Sequence, residues 1–345
     1  AFTLVFILEI SVFAQIPTQY PLYLNADRLA AIQNAIQESG SHHAEAFAAM
    51  KWRVDQDDLT VYGNNVNRYN RSYLAQEAAF LGLLTTDSSE KLKYAQLAYR
   101  TIRDIYEDPD QERHPHEDYG LSRAMMGLGL AMPYTWVRHH WSEEQREYVR
   151  AKMIQALDAW LTYDHANFWD EKGSNWVAVC RGGELVLLLA AEEKNNRRDR
   201  YDFLVEQLLT HMQNGYGDLG VTQEGLGYLE YGGTFLLKAV YAAASKGDSS
   251  LYRQAEQHAW WKQTMYTHNF QPHDRKFLMT GVTGSGGYDE GWASLLLNLT
   301  PSQELPYFLW WYDRHLGQLA SGGPQQKFDS QRAGTIWALL YYPGE

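Results

Sequence analysis

Two segments of the 345-residue chain carry residue types able to move protons and hold carboxylates. The first is TQEGLGYLEYGG at 222–233. If a helix begins at Thr222, then Glu224, Tyr228 and Tyr231 fall at i, i+4 and i+7 on one face, and Glu230 points elsewhere. A tyrosine on an open, electropositive helix end loses its proton more easily than its reference pKa of about 10 implies. Gly225, Gly227, Gly232 and Gly233 weaken the helix but clear space on that face, here read as room for a sugar. The second segment is GSNWVAVCRGGEL at 173–185. Asn175 has an amide that can donate to a carboxylate. Arg181 and Glu184, three apart, share a face. Gly182 and Gly183 are costly inside a helix and imply a ligand or a neighbouring helix close by. In the plainer reading Asn175 caps a helix, Arg181 pairs with Glu184, and the tyrosines are interior with satisfied hydroxyls.

An amide that grips a carboxylate beside a tyrosine that takes a proton is what β-elimination of a uronic acid requires. The C5 proton is weakly acidic, and hydrogen bonds to the adjacent carboxylate stabilise an enolate-like transition state. A positioned base removes the proton and an acid protonates the departing C4 oxygen. One tyrosine can do both when the two groups lie on the same side of the ring.

The positioning elements are helices. Apolar periodicity predicts them near 26–38, 43–55, 70–84, 88–107, 117–138, 143–162, 174–194, 200–214, 223–246, 250–266, 287–298, 304–317 and 328–341, with Asn25 as the first N-cap. Convincing strand alternation is absent. Segments apolar on most sides, such as LSRAMMGLGLAMPYTWV and GGELVLLLAA, alternate with amphipathic ones, such as SEKLKYAQLAYRTIRDIYED. The first kind belongs inside and the second faces water. The expected fold is therefore all-α, an incomplete α/α toroid with inner and outer rings of alternating helices. In a toroid the inner helices run the same way, so their N-termini share one rim. That rim offers free N–H groups and partial positive charge to an anionic ligand.

Rim candidates follow from this layout. Arg68, Arg71 and Arg123 are candidates for sulfate or carboxylate binding, with Arg181, Glu224 and Tyr288 also counted as substrate-binding. Trp52, Trp169, Trp176 and Trp292 are candidate sugar platforms. His116 lies at an inner helix start beside Glu117, Asp118 and Tyr119. The run HPHED at 114–118 imitates a metal site but reads as a solvated loop; no organic cofactor is implied, and room is left for a structural divalent metal. His139 and His140 sit at a helix end, where cations are favoured. TGVTGSGG lacks the Gly-Lys-Ser/Thr ending of a phosphate loop. NRS at 70–72 and NLT at 298–300 fit the glycosylation pattern weakly.

Composition narrows the partners. Hydrophobic residues at 45% support a sizeable core, and 12 Trp with 24 Tyr suit flat ligands such as sugar rings. A net charge of −12 argues against nucleic acid and anionic membranes as partners. A single cysteine, Cys180, rules out an internal disulfide framework. The N-terminal AFTLVFILEISVFAQ reads as a secretory signal cut before Gln15, with residues 1–14 removed and the protein secreted or periplasmic.

The pair NWVAVCRGGEL and EGLGYLEYGG, with the helical layout and the terminal WALLYYPGE, resembles the catalytic toroid of the heparinase II/III-like polysaccharide lyases over roughly residues 20–345. In that family an Asn, or a His or Glu nearby, neutralises the substrate carboxylate, and a Tyr is base and acid. The resemblance gives those roles to Asn175, assisted by Glu184 or Arg181, and to Tyr228, with Tyr231 in reserve and His116 as a further contributor. The implied substrate is an anionic, uronic-acid-containing polysaccharide. Trp176 follows Asn175 where some relatives carry a His. Relatives usually continue into β-sandwich domains, so residues 15–345 are expected to be a toroid domain cut before one. Two other readings stand beside this. A glycoside hydrolase would pair Glu224 with Asp289 or Glu290 across the bond. A non-catalytic relative would bind glycans only.

Overall fold

The computed structural model describes residues 22–62, 67–107, 120–163, 173–217, 220, 222, 224–269, 290–319, 328 and 333–343. The described residues are all-helical, with one isolated β-bridge between Tyr216 and Thr222. Six helices are buried along most of their length: α3 (Asn67–Leu84), α5 (Gly120–Val137), α7 (Asn175–Ala190), α9 (Leu226–Ser245), α12 (Glu290–Leu297) and α14 (Gly334–Tyr341). The others are α1 (Ala26–Ala35), α2 (His42–Gln56), α4 (Ser88–Glu107), α6 (Glu143–Tyr163), α8 (Arg198–Gly215), α10 (Ser250–Ala255), α11 (Trp260–Asn269) and α13 (Leu305–Leu319). Helix α4 shows how pattern becomes packing. Tyr94, Ala95, Leu97, Ala98, Thr101, Ile102 and Ile105 recur at helical spacing and form its buried stripe.

The buried helices pack in sequence, α3 on α5, α5 on α7, α7 on α9, and α9 on α12. Their contacts fix direction. Tyr69 meets Ser122, and Ser72 Oγ donates to the Met125 carbonyl at 2.7 Å. Gly183 lies against Ala124, and Gly127 against Leu187. Gly232 lies against Asn175, and Gly182 against Phe235. Gly233 lies against Trp292, and Tyr241 Oη donates to the Leu295 carbonyl at 2.6 Å. Residue numbers rise together in every pair, so neighbouring buried helices are parallel. The N-terminal ends of α3, α5, α7, α9 and α12 consequently lie at one end of the array.

Helix α14 packs on α12 and on α2, and α2 packs on α3. A buried ion pair ties this side together. Arg53 of α2 donates to both Glu77 oxygens on α3 at 2.6 and 3.1 Å, to Thr335 Oγ1 on α14 at 2.6 Å and to the Phe328 carbonyl at 3.1 Å. Tyr62 Oη donates to the same carboxylate at 2.9 Å. A bidentate Arg–carboxylate pair with its remaining protons used is the arrangement in which buried charge is tolerated.

Helix boundaries follow the sequence expectations closely, and Asn25 caps α1 by accepting from the Arg28 N–H at 2.8 Å. Two expectations are corrected. Among its described residues the window 328–341 is α-helical only from Gly334, with Phe328 in a bend ahead of it. The window 250–266 divides into α10 and α11, because the chain tightens to three-residue turns at Gln257 and His258. Among the described residues no helix is long and apolar enough to cross a membrane. Residues 1–14 lie outside the described residues.

Candidate active site

At the parallel contact of α7 and α9, Ser174 is the N-cap of α7 and Asn175 its first residue, 5% exposed. The Asn175 backbone N–H donates to the Glu224 carboxylate at 2.6 Å, and the side-chain amide donates to the two Glu224 oxygens at 3.0 and 3.1 Å. An anionic side chain thus sits on the positive end of α7, the favourable sign for a helix N-terminus. Asn175 Oδ1 is buried and has no hydrogen-bond partner among the described residues.

The geometry corrects the single-face reading of 222–231. Helix α9 begins at Leu226, and its N-cap Gly225 has φ +91°. That left-handed residue turns the chain before the helix starts, so Glu224 lies off the helix and reaches across to α7. Thr222 Oγ1 accepts from the Glu224 N–H at 3.3 Å, holding the approach. Gly232 and Gly233 serve helix packing. A Cβ on Gly232 would stand 2.9 Å from Asn175 Cβ, and one on Gly233 would collide with the Trp292 ring. On Gly182 it would meet the Phe235 carbonyl at 2.8 Å, and on Gly183 the Ala124 Cβ at 2.6 Å. Of the two alternatives left open for Gly182 and Gly183, the neighbouring helix is the one observed.

Tyr228, in the first turn of α9, is half-buried, and its hydroxyl has no hydrogen-bond partner among the described residues. Tyr231 is also half-buried, with its ring edge-on to Phe235 at 5.8 Å.

The remaining candidates divide. Glu184 is fully buried and takes the Arg200 guanidinium of α8 on both oxygens at 2.7 Å, with Arg181 Nη1 at 3.8 Å. The expected Arg181–Glu184 pair is present within α7, while Arg200 on the same carboxylate ties α7 to α8 well below the helix start, and Arg181 lies over the Phe203 ring of α8. Neither residue is presented to a ligand at the Asn175 end. Arg123 is buried against the Trp160 ring. Arg68 is half-buried over the Tyr69 ring, and Arg71 donates to the Asp104 carbonyl at 3.3 Å. Trp176 is half-buried beside Asn175, whereas Trp292 is fully buried and donates to Thr264 Oγ1 at 2.9 Å, which makes it core. Trp52 is exposed on α2. His116, Trp169, Tyr288 and Asp289 lie outside the described residues, as does the side chain of Glu290.

The structure adds a group that the sequence reading missed. Tyr216 Oη lies 3.1 Å from His211 Nε2, and both residues are buried. Burial pushes the Tyr216 hydroxyl well above its ordinary pKa, and the nearby Glu224 charge adds to the shift. The ring of Trp260 packs edge-on to Tyr216, and His258 stacks on Trp260. The pair straddles the end of α8, and the Tyr216–Thr222 bridge brings it near Glu224, a spacing with no helical or strand period to betray it.

Elsewhere, the groove between α2, α4 and α6 has its Lys93 and Arg100 committed to Asp55 and Asp57 at 2.7 and 2.6 Å. No cluster of three or more His, Cys, Asp or Glu residues able to hold a metal occurs among the described residues. Comparison with protein-family models finds no match, and no curated protein matches the chain.

Proposed function

We propose that the protein is an α/α-toroid polysaccharide lyase that cleaves a uronic-acid-containing chain by β-elimination outside the cytoplasm. The observation that carries the reading is the placement of Tyr228 and Asn175 at the same end of the parallel α7–α9 pair. One offers a hydroxyl without a partner among the described residues, the other a buried amide. The packing order α3, α5, α7, α9, α12, α14, α2 and back to α3 is the order a ring of helices would have, which supports the toroid.

In this reading the substrate carboxylate meets the Asn175 amide, which lowers the cost of charge developing at C5. Tyr228 takes the C5 proton and returns it to the C4 oxygen as the glycosidic bond breaks. The product carries a C4=C5 double bond, and no cofactor takes part. Glu184 and Arg181 are left as the support of α7.

The test is incubation with a panel of uronate polysaccharides, following the near-ultraviolet absorbance of the unsaturated end. Tyr228→Phe is expected to lower kcat by about 10²–10⁴-fold, the usual worth of a general acid–base group. Full activity in that variant overturns the site. New reducing ends without absorbance indicate a hydrolase, and binding without either indicates a glycan-binding protein.

A further inference from the structure

The groove between α2, α4 and α6 lies on the outer wall, apart from the Asn175 end of α7. It holds about 540 Å³, within the range of small-ligand pockets, about 300–1,000 Å³. Val54 and Leu97, both buried, give it an apolar floor. Lys93, Gln96, Arg100 and Arg103 stand on successive turns of one face of α4. Donors and acceptors are held side by side along the walls. Lys93 Nζ donates to Asp55 at 2.7 Å, Arg100 Nη2 to Asp57 at 2.6 Å, and the Gln145 amide to Gln96 Oε1 at 2.8 Å. Asp55 also takes Lys51 at 3.1 Å and the Tyr94 hydroxyl at 3.0 Å. Exposed ion pairs stabilise a fold very little; their effect here is to fix each donor beside an acceptor. Tyr99 is half-buried against the Trp141 and Tyr148 rings, each at 6.0 Å, and its hydroxyl has no hydrogen-bond partner among the described residues.

Adjacent donors and acceptors over an apolar floor, flanked by an aromatic ring, match a pyranose. Each ring hydroxyl both donates and accepts, and the C–H face is apolar. A peptide or a lipid tail offers no such run of hydroxyls. Charge narrows the class further. The lining carries three cations, Lys93, Arg100 and Arg103, against two carboxylates, Asp55 and Asp57. Among the described residues Arg103 is ion-paired only with Glu107, at 3.5 Å and outside the lining. Its guanidinium can therefore take a carboxylate of the ligand. We propose that this groove is a second saccharide site, which binds a uronate-bearing chain with hydroxyls on the Asp55–Lys93 and Asp57–Arg100 pairs and a carboxylate on Arg103. That the chain is the polymer cleaved at the active site rests on the lyase reading; that the groove takes a saccharide does not. The Arg103 end lies towards the shared N-terminal rim, since Arg71, just inside α3, donates to the Asp104 carbonyl at 3.3 Å. A long chain held there is tethered to the wall below the rim, an advantage that a short fragment lacks.

The test is calorimetry on the whole chain with oligogalacturonate, oligoalginate and a heparan sulfate tetrasaccharide. A neutral cello-oligosaccharide and an oligoglutamate, anionic but without hydroxyls, serve as controls. Asp57→Gly and Arg103→Ala should each weaken one uronate site about tenfold, the worth of a charged hydrogen bond, and leave any other site as it was. Asp57→Gly also separates binding from folding. Asp57 is the C-cap of α2 at φ +51°, a conformation that glycine adopts with less strain, so the variant should unfold no earlier than the wild type. Both variants should raise KM for the polymer and leave turnover of a short substrate unchanged. Uronate binding of wild-type strength in both variants overturns the inference. So does oligoglutamate binding as tightly as the uronates, which marks a charged patch only, and so does equal binding of the neutral sugar, which leaves Arg103 without a role. Groove binding by a protein that never forms the unsaturated product upholds the saccharide site and sinks the lyase reading. Formation of that product without groove binding does the reverse.

Discussion

Replacing Arg200 by methionine separates a packing role for Glu184 from a chemical one. Glu184 is fully buried, with both oxygens 2.7 Å from the Arg200 guanidinium and Arg181 at 3.8 Å. Removing one partner of a buried pair costs about 3–5 kcal/mol, because the other charge stays behind unpaired. Arg181 remains as a poorer partner, and the Arg200 side chain keeps 16% of its exposure, so the lower end applies, about 3 kcal/mol. With an unfolding entropy of about 2.1 cal/mol/K for each of 345 residues, that is a fall of about 4 °C in the unfolding midpoint. Glu184→Gln should fall by at least as much, since it leaves two guanidinium groups over one neutral amide. The assay is thermal unfolding by circular dichroism at pH 7 in low and high salt. The loss should be insensitive to salt, as a shielded pair is. A midpoint within 1 °C of wild type for Arg200→Met refutes the packing argument, as does a Glu184→Gln protein that is fully stable and catalytically dead.

Two further outcomes follow from a close helix contact and from a histidine set among positive neighbours. Gly183→Ala gains about 1 kcal/mol of helix propensity, yet its Cβ would stand 2.6 Å from Ala124 Cβ and 2.9 Å from Ala124 Cα. Overpacking costs about 1–3 kcal/mol, so the variant should be less stable in urea; a more stable protein refutes the α5–α7 contact. His139 keeps an exposed face but is partly desolvated by the packing around it, which with the positive neighbours His140, Lys91 and Arg138 holds it below its ordinary pKa. A depressed folded pKa means that the unfolded chain takes the proton first, so stability is lost as pH falls from about 6.5. His139→Asn should flatten the urea midpoint between pH 6.5 and 5 and leave it unchanged at pH 8.

Long helices were legible because their periodicity survives whatever they pack against. The stripe of α4 and the mostly apolar α5, α7 and α9 each announce both helix and layer. The break after α10 was not legible, because LYRQAEQHAWWKQ carries no proline or glycine to mark it. The site was harder for a related reason. Periodicity extends a helix backwards through Gly225 to Thr222, whereas a left-handed glycine stops it and sends Glu224 to a helix 49 residues away in sequence. Nothing local to either segment encodes that pairing. The glycines were read correctly as demanding close approach at Gly182 and Gly183, and misread at Gly232 and Gly233, where a neighbouring helix uses the space given to a sugar.

The same Glu224 alters how the positive rim should be understood. Parallel helices do bring the N-termini of α7 and α9 to one end, but their two partial charges are not equivalent. The end of α7 is already matched by the Glu224 carboxylate on the Asn175 N–H. The end of α9 receives no side-chain cap, because its N-cap is Gly225. An anion approaching this pair therefore meets an uncompensated dipole on the side of Tyr228 and a compensated one on the side of Asn175. A carboxylate can gain the α7 end only when the resident charge is removed. Substituting Glu224 with Gln should consequently strengthen anion binding, whereas the same change at Glu184, locked on Arg200, should alter stability and leave the anion affinity where it was.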